Sequence, residues 1–299
     1  MATDPRITVG LPFYNAESTI LQSIRSVFAQ TFASWELILY NDGSTDDSLR
    51  IAQSVSDDRV RVVSIPKNRG LVAALNTIAH LAHGEYLARM DADDLMHPNR
   101  LAQQADFLDQ RGDTFVLGTG AYIIDVAGRP IGIRGQTAPD MSAYGLLRVN
   151  QVLHPTVTGR TAWFQANPYD PAFPRSEDHE LWCRIADRGR VEHLNRPLMF
   201  IRDADLRQTG KYTDTCRSDL LIYRKYGPSR VGGWRTAGLV AQALLKPVAY
   251  SLAAHAGLEA RLLAIRNQPL TATQAAEARA TLELIAQVPL HAILRNFQS

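Results

Sequence analysis

The sequence has only two cysteines in 299 residues, Cys183 and Cys216, far apart and without a Cys-x-x-Cys pair. That argues against a disulfide framework and a thiolate zinc site, and both are expected as reduced thiols. Long apolar runs are missing too. The Leu-, Ala- and Val-rich stretch from Gly238 to Leu258 is broken by Gln242, Lys246, Pro247 and His255, which leaves it too interrupted for a membrane span. Met1 to Arg6 lacks the basic start and apolar core of a signal peptide, so the expected location is cytoplasmic. No Gly-x-Gly-x-x-Gly follows a strand and no Gly-Lys-Ser/Thr occurs, against a nicotinamide dehydrogenase and a P-loop enzyme. Internal repeats and low-complexity segments are absent as well.

Net charge is small, +2, but unevenly spread. Residues 1–200 hold 19 Lys/Arg against 23 Asp/Glu, whereas residues 201–299 hold 13 against 7. An anionic surface would therefore meet the C-terminal part, and nucleic-acid binding has little support beyond this mildly basic tail. With 45% hydrophobic and 21% charged residues the chain reads as globular, of a length for one large domain or a domain with an appendage.

Apolar runs alternate with helical periodicity through the first ninety residues. Ile7 to Leu11, Trp35 to Tyr40, Val60 to Ile65 and Tyr86 to Met90 read as strands, the first stopped by Pro12. Helical patterns lie between them, the second with Ser44 and Asp47 as a capped start. Strand-helix alternation implies a mostly parallel, helix-covered sheet, which binds ligands at the carboxyl ends of its strands. The polar clusters fall there: Phe13-Tyr14-Asn15, Asp42, Asn68-Arg69-Gly70 and Asp91-Ala92-Asp93-Asp94. Farther on, helix to Arg111, strands around Ala127 to Pro130, a helix near Ala143, another opened by Glu177-Asp178, and strands near Val191 and Leu198 to Ile201 complete this part. Beyond Tyr212 only helices are expected: Ser218 to Tyr226, Val231 to His255, Leu258 to Arg266, and a last one with a Thr271/Gln274 capping box.

Three carboxylates in four positions at a strand end repel one another unless a cation or a donor-rich ligand sits among them. Asp91-Ala-Asp93 offers hard oxygen ligands for Mg²⁺ or Mn²⁺, while capping of the next helix is the plainer reading of all three. Asp42 similarly suits a turn or the grip on a base or ribose. Phe13 and Tyr14 suit ring stacking or core, and Asn15 a helix cap.

Taken together, Pro12-Phe-Tyr-Asn15, Asn41-Asp-Gly-Ser-Thr-Asp46, Asn68-Arg-Gly70 with Asn76, Met90-Asp-Ala-Asp-Asp94 and Ser176-Glu-Asp178 with Leu181-Trp182 resemble the family-2 inverting glycosyltransferases with a GT-A fold. The resemblance covers about residues 5 to 205. It implies an α/β fold, a Rossmann-like, mostly parallel sheet with helices on both faces, plus a C-terminal helical extension, divided as 1–210 and 211–299. The implied activity is metal-dependent transfer, with Mn²⁺ or Mg²⁺, of a sugar from a nucleoside diphosphate, UDP expected, to a hydroxyl on a cell-surface glycan, lipid-linked molecule or protein. Pro12, Tyr14, Asp42 and Asn68, with Asn15 and Gly70 beside them, would hold the nucleotide sugar. Asp91 would take its ribose or the metal, Asp93 the metal, and Asp178 the role of base, with Glu177 in support.

The pattern has departures. Leu75 stands before Asn76 where relatives often have Arg, which leaves Arg69, Arg89 or Arg160 to supply positive charge. Where many relatives carry a His as a further metal ligand, Asp203-Ala-Asp205 follows Arg202, so that ligand is open between Asp205 and water. His154 lies toward the expected acceptor side. The Gln-x-x-Arg-Trp signature of processive synthases is absent, which implies one sugar per encounter. A second reading is a non-catalytic nucleotide-sugar-binding or regulatory module, against which the intact Asp93 and Asp178 speak. The basic C-terminal helices, residues 211–266, suit packing against the domain or in a homo-oligomer, or peripheral contact with the inner face of a membrane.

Overall fold

The computed structural model describes residues 4–186, 190–203, 209–255 and 267–294. In β1 (Ile7–Phe13), Ile7, Val9, Leu11 and Phe13 alternate onto one face of the sheet and meet Ile20, Ile24 and Val27 of α1 (Ile20–Phe28). Then come β2 (Trp35–Asp42), α2 (Ser48–Gln53), β3 (Val60–Ile65), α3 (Leu71–Leu81) and β4 (Tyr86–Arg89). Ile38 and Tyr40 face the other side, where Ala74, Leu75 and Ile78 of α3 cover them. Each such buried aliphatic side chain contributes about 1.5–3 kcal/mol. Gly10 sets how closely α3 lies on the sheet: a Cβ there would stand 2.5 Å from Ile78 Cγ2. The four strands are parallel in the order β3-β2-β1-β4, as the alternation implies.

Two local expectations are corrected. Pro12 lies within β1, because β4 pairs with β1 only as far as Gly10 while β2 pairs as far as Phe13. With a strand neighbour on one side only, a residue without an N–H is tolerated there. Ser44 does not cap α2; its hydroxyl accepts from the Asn15 amide, and Asp46 receives the Ser48 amide instead.

Beyond β4 the sheet becomes mixed. There follow β5 (Leu95–Met96), α4 (Arg100–Gln110), β6 (Thr114–Ile124), β7 (Pro130–Arg134), α5 (Ala143–Arg148), β8 (Thr158–Arg160), α6 (Thr161–Ala166), α7 (Glu177–Ile185) and β9 (Arg190–Arg202). Strand β8 runs antiparallel to both β4 and β6, and the order continues β4-β8-β6-β9-β5 with β7 on β6. The two expected pieces near Val191 and Leu198 belong to the single strand β9, whose register against β6 shifts at Gly120.

The seam between the two parts is held by Arg100, which is fully buried. Its Nη2 donates to the Arg89 carbonyl at 2.9 Å and the Val157 carbonyl at 3.1 Å, and its Nε to Gln104. Gln104 in turn donates to Leu117 and Thr156 carbonyls. One polar chain thus ties β4 and β6 to the turn before β8. Burial and the neighbouring charge of Arg89 lower the Arg100 guanidinium to about 9.

C-terminally, α8 (Thr209–Val231) packs on α5 and α7, and α9 (Gly233–His255) packs on α8. The helix expected from Leu258 to Arg266, and the side chains of Asp205, Lys211, Val248 and Tyr250, lie outside the described residues. Helix α10 (Ala272–Gln287) carries the expected capping box, Thr271 Oγ1 accepting from the Gln274 amide at 3.2 Å. It touches α1 and β7, and Ile293 and Leu294 then enter the core beside α2. Among the described residues, region 211–299 therefore packs on the sheet domain through both α8 and α10.

Replacing Arg100 by Ala strips several carbonyls of their buried donor and opens a cavity. The variant is expected to lose about 3 kcal/mol or more in urea unfolding; a loss below about 1 kcal/mol would contradict the seam's role.

Candidate active site

Loops at the carboxyl ends of β1 to β4 form one rim. Both Asp42 oxygens are engaged, accepting from the Arg69 amide at 2.8 Å and the Gly70 amide at 2.9 Å. This contact brings the β2 loop onto the β3 loop so tightly that a Cβ on Gly43, at φ +76°, would stand 2.7 Å from the Asn68 nitrogen. Only glycine fits that close, left-handed position. Gly70, at φ +87°, opens α3. Asn15 joins the β1 loop to the β2 loop, its Oδ1 accepting from the Thr45 amide at 2.8 Å. Pro12 and Phe13 are buried, whereas the Tyr14 ring is 49% exposed and Asn68 is exposed. Of the first two aromatics, then, Phe13 is core and Tyr14 is presented outward.

At the end of β4, carboxylate oxygens of Asp91, Asp93 and Asp94 lie within 4.8 Å of one another. Asp91 is gripped at both oxygens by Arg89, at 2.6 and 2.8 Å. Asp94 is buried and accepts from the Arg202 amide at 2.9 Å, so it anchors the end of β9. Burial, then the charges of its two neighbours, push the Asp94 carboxyl well up; burial and the Asp91 charge raise Asp93. A set of hard oxygen donors that resist ionising together fits a divalent cation. Asp203 turns away to pair with Arg134.

The second acidic group stands at the start of α7. Glu177 and Asp178 are buried, and His154 Nδ1 lies 3.8 and 3.7 Å from their carboxylates. Asp178 accepts from the Asn150 side chain and from the His179 amide at 2.8 Å. His154 Nε2 meets the Tyr169 hydroxyl at 3.0 Å. Burial and then the Arg89 charge drop His154 far below its usual range, so this imidazole is neutral. Burial and then the Asp178 charge lift Glu177 to about 7, and burial also raises Asp178 against the pull of Asn150.

His179 is the reverse case. Its Nε2 faces the Leu146 carbonyl at 2.7 Å and its Nδ1 faces Asp219 at 3.0 Å. Both ring nitrogens must donate, so the ring is an imidazolium: burial opposes the charge, and the Asp219 hydrogen bond prevails, raising it to about 10. It locks α7 between α5 and α8.

Between the two acidic groups lies Arg89, buried on β4. Burial disfavours its cation, and the charge of Asp91 first, then those of Asp94 and Glu177, restore it. Of the three arginines left open by Leu75, Arg89 lies between the two acidic groups and Arg69 stands on the β3 loop of the rim. Arg160 reaches Leu108 and Glu85, and the Arg69 side chain is exposed. Asn76 is spent on the loop before α7, bonding both backbone groups of Tyr169. Sequence reasoning missed Asn150, Tyr169, His179 and Arg202; only His179, next to Asp178, carried a positional signal.

A parallel half-sheet with carboxylates at its strand ends, closed by a mixed half that contributes a helix-start carboxylate pair, is the arrangement of the GT-A fold. Solved structures with this fold include TarS 1–349 of S. aureus in complex with UDP-GlcNAc, at TM-score 0.61 and 20% identity, covering 80% of this chain and 71% of that one. Another is the Pyrobaculum calidifontis mannosyltransferase PcManGT in complex with GDP-Man and Mn²⁺, at TM-score 0.57 and 18% identity, covering 95% and 86%. Within that fold, the model of Glycosyl transferase family 2 matches residues 8–169. EpsE of Bacillus subtilis (strain 168), named as a glycosyltransferase, is 32% identical over 75% of this chain and 83% of its own. The Escherichia coli UDP-Glc:alpha-D-GlcNAc-diphosphoundecaprenol beta-1,3-glucosyltransferase WfgD is 30% identical over 64% and 74%. The chain belongs to glycosyltransferase family 2, and it is an enzyme of the transferase class.

The raised Glu177 gives a pH test. A carboxyl that binds its proton more tightly when folded contributes stability that is complete below its unfolded value, near 4.5, and is lost as pH rises through about 7. Glu177→Gln removes that dependence. Its melting temperature relative to wild type is expected to rise between pH 5 and pH 8 by about 2 °C or more, measured by calorimetry; a constant difference would contradict the raised value.

Proposed function

We propose that the protein is a non-processive, inverting glycosyltransferase that moves a sugar from a UDP-sugar to a hydroxyl acceptor, with Asp178 as general base. The observation that carries this reading is the placement of Asp178: buried, held at both oxygens by Asn150 and the His179 amide, and linked through Arg89's field to the Asp91/Asp93 end of the site. Tyr14 presents its ring for the base, while Asp42 shapes the loop that carries Asn68.

In the reaction, an acceptor hydroxyl placed against Asp178 gives up its proton to the carboxylate. Its oxygen forms the new bond to the anomeric carbon on the face opposite the diphosphate, whose bond to that carbon breaks with the electron pair leaving on the phosphate oxygen. Attack from the opposite face inverts the centre. Burial and the Asp178 charge lift Glu177 to about 7, so near neutrality it holds part of the proton load of the pair and supports Asp178 as base. Neutral His154 occupies the wall beside both carboxylates without adding a positive charge that would weaken the base. Asp91 and Asp93 would hold Mn²⁺ or Mg²⁺, and the chemistry such a cation supplies when bound is neutralisation of charge on the departing diphosphate. WfgD, whose name gives UDP-Glc as donor, and TarS bound to UDP-GlcNAc support a uridine donor.

Asp178→Asn is expected to bind UDP within about threefold of wild type by calorimetric titration and to lose transfer by about 10³-fold or more. Retained turnover would remove Asp178 from the role of base.

A further inference from the structure

Helix α9 is apolar on two opposite faces. Thr236 is buried against Gly227 of α8, and Leu239 and Ala243 share a buried cluster with Ile222 and Tyr223. Away from them, Trp234, Ala237, Gly238, Ala241, Leu244 and Leu245 are all exposed, Trp234 at 93% and Leu245 at 66%. Offsets of three, four and seven residues place them in one stripe along the helix. An uncovered row of this size, headed by a tryptophan, marks a contact surface.

Charge selects the occupant. From Leu220 to His255 the sequence has five Lys/Arg and no Asp or Glu; Lys225 turns inward to Asp170 and Glu180 and Arg230 packs on Tyr226, while Arg235 and Lys246 of α9 flank its apolar stripe. A second copy meeting this face across a two-fold axis would set basic stretch against basic stretch, whereas an anionic lipid surface is complementary to it. Among the described residues no helix is long and apolar enough to cross a membrane. We propose that this face of α9 docks on an anionic lipid surface, its apolar stripe at the boundary of headgroups and acyl chains and its basic side chains toward the headgroups.

The docking face continues toward the base. The Arg235 guanidinium lies 5.5 Å from the ring of Tyr144, itself 38% exposed on α5. Val149, just past α5, is exposed too, and the next residue, Asn150, holds Asp178. A lipid-anchored acceptor arrives at Asp178 from this side, a step that rests on the transfer reaction proposed above.

The test is co-sedimentation of the full chain with vesicles of phosphatidylcholine containing phosphatidylglycerol, or of phosphatidylcholine alone, at low and high salt. Binding is expected to the anionic vesicles only and to weaken with salt. It should fall about tenfold or more in Trp234→Ser/Leu245→Ser, whose circular dichroism and UDP binding stay at wild-type levels. No binding to anionic vesicles, unchanged binding of the double variant, or a dimer that the double variant dissolves would each overturn the proposal. Vesicle binding without turnover of any nucleotide sugar keeps the docking and overturns the transfer reading; turnover without vesicle binding does the reverse.

Discussion

A guanidinium buried between two sets of carboxylates is the constraint on which this site depends. Arg89 grips Asp91 at 2.6 Å, and its charge reaches Asp94, Glu177 and His154 as well. Without a fixed cation there, five acidic side chains would crowd one cleft, and in so dry a place several would hold protons. With it, Asp91 is paired at both oxygens, while burial raises Glu177 and Asp178 on the other side. His154 stays neutral because it is buried, and a second cation beside Arg89 is disfavoured as well.

The fold places Arg89 with care. It closes the last parallel strand, its carbonyl is held by Arg100, and its amide bonds the Val157 carbonyl just before β8. The side chain therefore issues from the line where the parallel and mixed halves of the sheet meet, with the loops after β1 to β3 on one side and α7 on the other. Asp94, through the Arg202 amide, fastens the far end of β9 to the same line. Three arginines and one aspartate thus hold the rim together, and the apolar core beneath keeps them in place.

Much of the rim was legible in the sequence because parallel strands carry their signal locally. Apolar runs such as Trp35 to Tyr40 give the strand, and the polar residues just after it fall on the binding edge. Asp91 and Asp93 needed only their position to be picked out, and Glu177 and Asp178 their ordered company with the earlier motifs. What escaped was whatever depends on contacts across the chain. Asp42 carries no sequence mark of the two amides it clamps, nor does Asn150 of its bond to an aspartate twenty-eight positions on. Asp94, assigned no ligand role from sequence, proves to be a buried anchor because β9, more than a hundred residues later, returns beside it. Pro12 misled for a related reason: whether a strand survives a proline depends on its neighbours, which one segment does not reveal.

In the proposed reaction the two acidic groups flank one reacting carbon, so that attack and departure occur on opposite faces. Proton magnetic resonance on a panel of nucleotide sugars, incubated with the enzyme and Mn²⁺, reads this directly from the anomeric signal of the first sugar released to water. The account predicts slow release of the inverted anomer from the preferred donor, abolished by chelation of the metal. First release of the retained anomer, or release indifferent to chelation, would contradict it.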